Sequence, residues 1–387
     1  MELEGLIKFL KEKPGYLKKG IVYLMNYLDV EDEELMRKAK AEAKKDLYTD
    51  VDETRKDMQL RSRWQVQRKG GELEWLESYR TVNEPDYQLT KGDWQDILNE
   101  IKDIPILKQQ KFNVPQNNKT LLVWTSDKHI GAAIPSDSLY KEQYDEHIFF
   151  DRMKQILTHC VKMRSTYGRF DEIILADLGD SLDGYNGLTT RGGHKLPQNL
   201  NNKEAAKVHF RAHKWLIESI ITQDVADTCN IVHITNDNHS GDFGWQASYA
   251  LQQYCSVAYP SVKFNLIEEF LSHIKVYDKI YVLTHGKDKK NRKFPLPLKI
   301  DDKTESFIMD YVLHQGLANY KIHVRKGDIH LNDLDCTRNK MSYWNVGSVF
   351  GASDWIMDNY SYTNASCVFE VVEKGSDNLK AEILWLQ

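Results

Sequence analysis

Asp127 and His129 stand two residues apart, directly after the apolar run Leu121-Leu122-Val123-Trp124. A carboxylate and an imidazole at the end of a buried strand are donor types that suit a transition metal. Alone, an Asp-x-His is weak, because polar loops carry it by chance. Its weight comes from four more stretches downstream. Asp177-Leu178-Gly179-Asp180-Ser181-Leu182-Asp183-Gly184 comes after the apolar stretch ending at Ala176, and Thr235-Asn236-Asp237-Asn238-His239 after Ile231–Ile234. Thr284-His285-Gly286 follows Ile280–Leu283, and Gly327-Asp328-Ile329-His330 follows Ile322–Arg325. Each has an ordinary reading by itself. Gly-Asp-x-x-Asp-Gly is often only a turn, and an isolated histidine is more often a satisfied polar residue than a ligand. In series, each after an expected strand, they are candidates for one cation-binding site.

The elements that must position these residues read as strand, helix, strand, helix from residue 120 onward. Helical faces are expected over 144–163, 202–221, 245–254 and 306–317. Strands are expected at 172–176, 231–234, 262–266, 274–276 and 280–284, then at 321–325, 342–346, 366–372 and 380–386. Alternation followed by β segments predicts a layered α/β domain on two sheets. Residues 1–118 differ. Short helices are expected at 3–11, 21–28, 33–45 and 93–102, with a hairpin of 63–67 and 73–79 around Lys69-Gly70-Gly71. This reads as a small α+β, winged-helix-like module whose basic residues, Arg61, Arg63, Arg68 and Lys69, either contact phosphates or form a solvated face. Residues 112–119, with Pro115, read as the linker, giving domains 1–118 and 119–387.

The chain has 387 residues, 41% of them apolar and 28% charged, as in an ordinary globular protein. A formal net charge of -5 gives no general electrostatic case for nucleic acid, so any basic surface is local. The five cysteines are scattered and form no C-x-x-C pair, which points to a reducing, cytoplasmic setting. No apolar run approaches the ~18 residues of a membrane span, and the first residues do not read as a signal peptide.

The ordered set of motifs resembles the calcineurin-like metallophosphoesterase superfamily, whose signature runs D-x-H, G-D-x-x-D, G-N-H-[D/E], a lone His-Gly and G-H-x-H. The resemblance covers roughly residues 120–350. It implies a four-layer αββα sandwich with two divalent metal ions above the strand ends. It assigns Asp127, His129, Asp180 and His330 to one metal, with Asp180 bridging to a second held by Asn238, His285 and Asp328. It makes His239 the catalytic histidine that binds no metal, and Asp183 a residue that orients a ligand. The donor types independently favour manganese, with iron or zinc as alternatives, over calcium. Two metals about 3.5–4 Å apart suit hydrolysis of a phosphodiester, activating the nucleophile and offsetting anionic charge.

The chain departs from the family pattern in three places. Asp328 stands for a histidine, adding a negative charge. Asp237 stands for a glycine, and is expected to tolerate a positive φ. Ser240 stands for an acid, leaving Asp242 as the candidate to orient His239. An inactive domain is the alternative these changes raise.

For the substrate, Gly184 and Asn236-Asp237 occupy places where the protein phosphatase branch carries arginine, which argues against that branch. The basic loop Lys287, Lys289, Lys290, Arg292, Lys293 and Lys299 follows His285, and suits a polyanion unless it is simply solvated. The loop 185–194 follows the Gly-Asp-x-x-Asp turn, so Arg191 and His194 are candidates to contact substrate. With Asp-Lys-His-Ile-Gly-Ala, this loop looks like phage and prophage metallophosphoesterases, which are similar to the SbcD/Mre type of DNA exonuclease subunit. The expected activity is a metal-dependent DNA nuclease in the cytoplasm, that of the host if phage-encoded. DNA is the expected partner, no membrane is, and a homodimer is one possible assembly that the sequence leaves open. The alternatives are hydrolysis of small phosphoesters or nucleotides, and a non-catalytic DNA-binding or scaffold role.

Overall fold

A computed structural model describes residues 3–12, 24–25, 28, 32, 34–41 and 43, the backbone of 58–67 and 73–81, and residues 117–134, 137–140, 142–290, 295–338 and 341–387. The chain divides into two compact units, Met1–Asp86 and Tyr87–Gln387.

In the first unit, α1 (Leu3–Glu12) buries Leu6 and Leu10 with Leu24, Met36, Ala39 and Ala43. Strands β1 (Met58–Gln67) and β2 (Leu73–Thr81) pair antiparallel, with an irregularity between Leu60 and Ser62. The expected helix over 93–102, the tip residues Arg68 and Lys69, and most of the expected linker lie outside the described residues.

The second unit is built on two sheets. The first contains β3 (Lys119–Thr125), β4 (Phe170–Asp177), β5 (Ala226–Ile234), β6 (Lys263–Ile267), β12 (Ser366–Glu373) and β13 (Lys380–Trp385), in the order β13-β12-β3-β4-β5-β6. Strands β3 to β6 are parallel, and β12 and β13 are antiparallel additions. Helices α2 (Glu146–Tyr167), α3 (Asn202–Thr222) and α4 (Gly241–Ala258) connect the parallel strands, as such crossovers require. Their starts follow from capping. Asp145 accepts from the amides of His147 and Ile148, and Asn201 forms a capping box with Glu204. The second sheet contains β7 (Ser272–Val276), β8 (Lys279–Thr284), β9 (Lys321–Lys326), β10 (Asp333–Arg338) and β11 (Met341–Asn345), in the order β10-β11-β9-β8-β7.

Strand alternation separates the layers. Leu121, Val123, Ile173, Leu175 and Ile231 face the helices, meeting Phe149, Ile156, Phe210, Leu216 and Leu251. Leu122, Trp124, Ile174, Ala176 and Val232 face the other way and pack on Tyr281, Leu283 and Trp344 of the second sheet. On its outer face Ile280, Val282, Ile322 and Val324 meet Ile308 and Val312 of α5 (Asp302–His314). The result is the expected α/β/β/α sandwich. The short helix α6 (Asp354–Asn359) completes the described elements.

Candidate active site

The motif residues gather where β3, β4 and β5 of one sheet and β8 and β9 of the other end together. Their backbone is unusual. Asp127, His129, Asp180, Asp328 and His330 have φ of 50°, 45°, 49°, 76° and 65°. Left-handed backbone in non-glycine residues is uncommon and clusters at functional sites. Glycine makes the rest of the approach. A Cβ on Gly327 would lie 1.9 Å from Ser126 Oγ and 2.9 Å from Asp127 Oδ2.

Two donor clusters share Asp127: Asp127 with His129 and His330, and Asp127 with Asp180 and His285. The tautomers are set from outside. His129 Nδ1 lies 3.0 Å from Asp183 Oδ1, His285 Nδ1 2.9 Å from Leu178 O, and His330 Nδ1 2.7 Å from Gly351 O. Each Nδ1 therefore donates, which leaves each Nε2 turned inward. His129 Nε2 and His330 Nε2 face one another at 3.2 Å, and Asp127 Oδ1, fully buried, lies 3.9 and 3.5 Å from them with no hydrogen-bond partner. His285 Nε2 is 3.1 Å from both Asp180 Oδ2 and Asn238 Oδ1. Inward-facing imidazole nitrogens and a buried carboxylate oxygen without a donor form an arrangement that a cation completes. The residues present fit two divalent ions.

The charges gathered in the site shift its titratable groups. Burial pulls His285 down, but Asp180 outweighs it and lifts the imidazole to about 10. His239 is likewise pulled down by burial and lifted to about 9 by Asp180 and Asp183. Asp180 resists burial and is held well below the usual carboxylate range by His285 and His239. In the first cluster burial wins, and His330 falls to about 4.

His239 belongs to neither of these two clusters. Its Nδ1 donates to Asp183 O at 2.9 Å, its Nε2 is 4.0 Å from Asp180 Oδ2, and its side chain is 20% exposed against 4% for His129 and 0% for His285. Asp183 thus orients two histidines, His129 through its carboxylate and His239 through its carbonyl, with its own Oδ2 accepting from Gln198.

The departures from the family pattern look different in the structure. Asp242 does not orient His239; its carboxylate is 84% exposed and accepts from Lys289 Nζ at 2.6 Å. Asp237 is not in the left-handed region. It is an acceptor hub instead. Oδ1 takes the amides of Ser240 and Gly241, and Oδ2 takes Asp180 N and Ser240 Oγ. Asp237 and Ser240 are therefore partners, tying the start of α4 to the Asp180 turn. Burial lifts the Asp237 carboxyl to about 7, with Asp180 adding to the shift. Asp328 joins neither donor cluster. Its amide donates to Asp127 Oδ2, and its half-buried carboxyl, raised by burial, is countered by His285, Lys326 and Lys287.

Of the expected substrate contacts, Arg191 is held by Asp288, donating to its carbonyl at 3.0 Å and its carboxylate at 2.8 Å. His194 is an exposed turn residue whose amide donates to Thr189 Oγ1. Lys289 is paired with Asp242, Lys290 is exposed, and Arg292 and Lys293 lie outside the described residues.

A further buried cluster went unread in the sequence: Asp177, His213 and His233 at ligand-like spacing. The i, i+4 pair His209 and His213 on α3 was the available signal. Here the cation is already present, because Lys128 Nζ lies 2.8 Å from Asp177 Oδ2. A divalent ion ~4 Å from that ammonium would meet about 8 kcal/mol of repulsion at an effective dielectric of about 20. The cluster is an ion pair ringed by imidazoles that burial keeps neutral, His233 at about 3 and His209 and His213 also well below their ordinary value.

No family model and no curated protein matches the chain. Among solved structures it is similar to a dimetal phosphatase from Danio rerio, at 7% identity over 69% of this chain and 99% of that one, with a TM-score of 0.36. It is similar to the sulfate thiohydrolase SoxB of Thermus thermophilus in complex with glycerol, at 8% identity over 71% of this chain and 58% of that one, TM-score 0.32. For a 5'-nucleotidase from Candida albicans the figures are 11%, 71% and 53%, with a TM-score of 0.33.

Proposed function

We propose that the second unit is a metallophosphoesterase-type hydrolase that cleaves phosphodiesters with two divalent metal ions. The observation that carries this is the convergence of three inward Nε2 atoms with Asp127, Asp180 and Asn238, including a buried carboxylate oxygen that lacks a donor. Asp127, His129 and His330 would hold one ion and Asp180, Asn238 and His285 a second, with Asp127 common to both donor clusters and Asp180 the proposed shared ligand. Asp328 would add charge beside His285. Bound ions would supply the activation of water and the offset of phosphate charge. His239, held by Asp183 and open to solvent, would stabilise the developing charge or protonate the leaving oxygen.

DNA is the proposed substrate, and manganese the proposed metal. The pairing of Arg191 with Asp288 and of Lys289 with Asp242 supports a second reading, a hydrolase of nucleotides or other small phosphoesters. A screen of Mn2+, Fe2+ and Zn2+ against linear and circular DNA, bis-p-nitrophenyl phosphate and nucleotides tests both. Cleavage of DNA that is lost in Asp180→Asn and His239→Ala is the expected result. Activity confined to small esters would favour the second reading. A wild-type protein that binds no divalent metal would leave only a non-catalytic role.

A further inference from the structure

Lys128 lies between two proposed ligands, Asp127 and His129, yet its side chain leaves the metal side. Its Nζ sits 2.8 Å from Asp177 Oδ2 and donates to Thr125 Oγ1 at 2.9 Å, and both charged side chains are 2% exposed. Lys128 follows β3 and Asp177 ends β4, so the ion pair crosses between the two turns that carry Asp127, His129 and Asp180. The backbone ties the same turns together. Asp127 N donates to Gly179 O at 3.0 Å, and His129 N to Asp180 O at 2.9 Å.

These turns need holding. Asp127, His129 and Asp180 are all left-handed, a conformation a non-glycine residue leaves unless its surroundings over-determine it. Lys128 is pinned at both ends, since Tyr144 also donates its hydroxyl to the Lys128 carbonyl. Asp177 accepts from Gly179 N and Ser181 Oγ besides the ammonium. The groups facing the pair from the helix side are His209, His213 and His233. His213 Nδ1 donates to His209 O, so its Nε2, buried without a partner, stands with Lys128 and Asp177 at a small cavity of about 20 Å³.

We propose that Lys128 is a positioning residue: its buried ion pair with Asp177 holds the two ligand-bearing turns in their left-handed geometry and so sets the cation affinity of the site. The inference rests on the reading of Asp127, His129 and Asp180 as ligands. A pair that only stabilised the fold would change the melting temperature and leave the affinity of folded protein untouched.

The test is calorimetric titration of the full chain with Mn2+ alone. It compares wild type, Lys128→Met, Asp177→Asn and the double variant Lys128→Met/Asp177→Asn, under conditions where circular dichroism shows each folded. The double variant leaves no buried charge without a counterion, so it keeps folding where Lys128→Met fails. Asp177→Asn preserves the shape of the side chain but leaves the Lys128 ammonium without its counterion, so the double variant is the deciding one. The expected result is a loss of Mn2+ affinity of about tenfold or more in every folded variant, the scale seen when the residues supporting a ligand are removed. Wild-type affinity in any folded variant overturns the proposal. A wild type that binds no Mn2+ overturns the ligand reading itself, a result distinct from equal binding across the series.

Discussion

Three of the imidazoles in this site are set by what lies behind them. His129 is fixed by Asp183, His285 by Leu178 O and His330 by Gly351 O, and in each the inward nitrogen follows from the outward bond. The consequence can be measured without any substrate. Burial would lower His285, but the Asp180 carboxylate at 3.1 Å lifts it from 6.5 to about 10 in the metal-free protein. A group raised on folding contributes stability that is fully present below its unfolded value. That stability is lost as pH rises through the folded value. In EDTA, the melting temperature is therefore expected to fall less steeply between pH 6.5 and about 10 in His285→Gln than in wild type, where His239, raised to about 9, adds to the fall and Lys326, lowered to about 8, opposes it. A His285→Gln profile that runs parallel to wild type across that window contradicts the assignment. With Mn2+ present the dependence should weaken, because the ion displaces the proton. Residue types and spacing made most of this set legible. Direction was not legible. Asp242 and Asp237 both lie near His239 in sequence, and only packing shows that Asp242 turns out to Lys289 while Asp237 turns in to Asp180 and Ser240.

Elements were legible where a whole face is buried. Strands β3, β4, β5 and β8 carry continuous apolar runs because both their faces are covered, and α3 announces its start with Asn201 and Glu204. Strand β10, Asp-Leu-Asp-Cys-Thr-Arg, went unread because it is a polar edge strand with half its residues exposed. Helix α6 is too short to show a period. Between elements, the turns carry the chemistry, and Gly179 shows how tightly. Its φ is 103°, and a Cβ there would lie 2.8 Å from His285 Nδ1. Gly179→Ala must therefore displace the imidazole or bend the Asp180 turn. It is expected to lower Mn2+ affinity by at least about tenfold and to cost roughly 1–3 kcal/mol in denaturant-measured stability. Gly193→Ala is the matched control, since Gly193 has a φ of 62° and nothing within 4 Å of its Cβ. It should keep Mn2+ affinity while bearing only the backbone strain. Equal affinity in the two variants would show that contact with His285 does not matter.

The site exists only because two sheets end at the same place, so something must fix one sheet on the other. Apolar packing between Trp124, Ile174, Tyr281 and Trp344 supplies area but little direction. Direction comes from a fully buried fork. Arg325 on β9 meets Glu370 on β12 through Nε to Oε1 at 2.6 Å and Nη2 to Oε2 at 2.9 Å. Trp124 donates to the same carboxylate at 2.6 Å, and the guanidinium stands 5.3 Å from the ring centres of both Tyr281 and Trp344. Two residues beyond the fork, β9 runs into Gly327-Asp328-Ile329-His330, so this bond also sets where His330 meets Asp127 and His129. Removing one partner strands a charge between the sheets, and Arg325→Met or Glu370→Gln alone is expected to cost about 3–5 kcal/mol. Replacing both, as Arg325→Met/Glu370→Leu, should recover most of that stability, because no orphan charge remains. If the fork does no more than stabilise, Mn2+ affinity will recover with it. If it sets the register of the sheets, the double variant will melt near the wild-type temperature yet bind Mn2+ more weakly. We expect the second outcome, because an apolar pair can slide where a bidentate, multiply hydrogen-bonded one cannot. Wild-type affinity in a stably folded double variant would reduce the fork to a packing element.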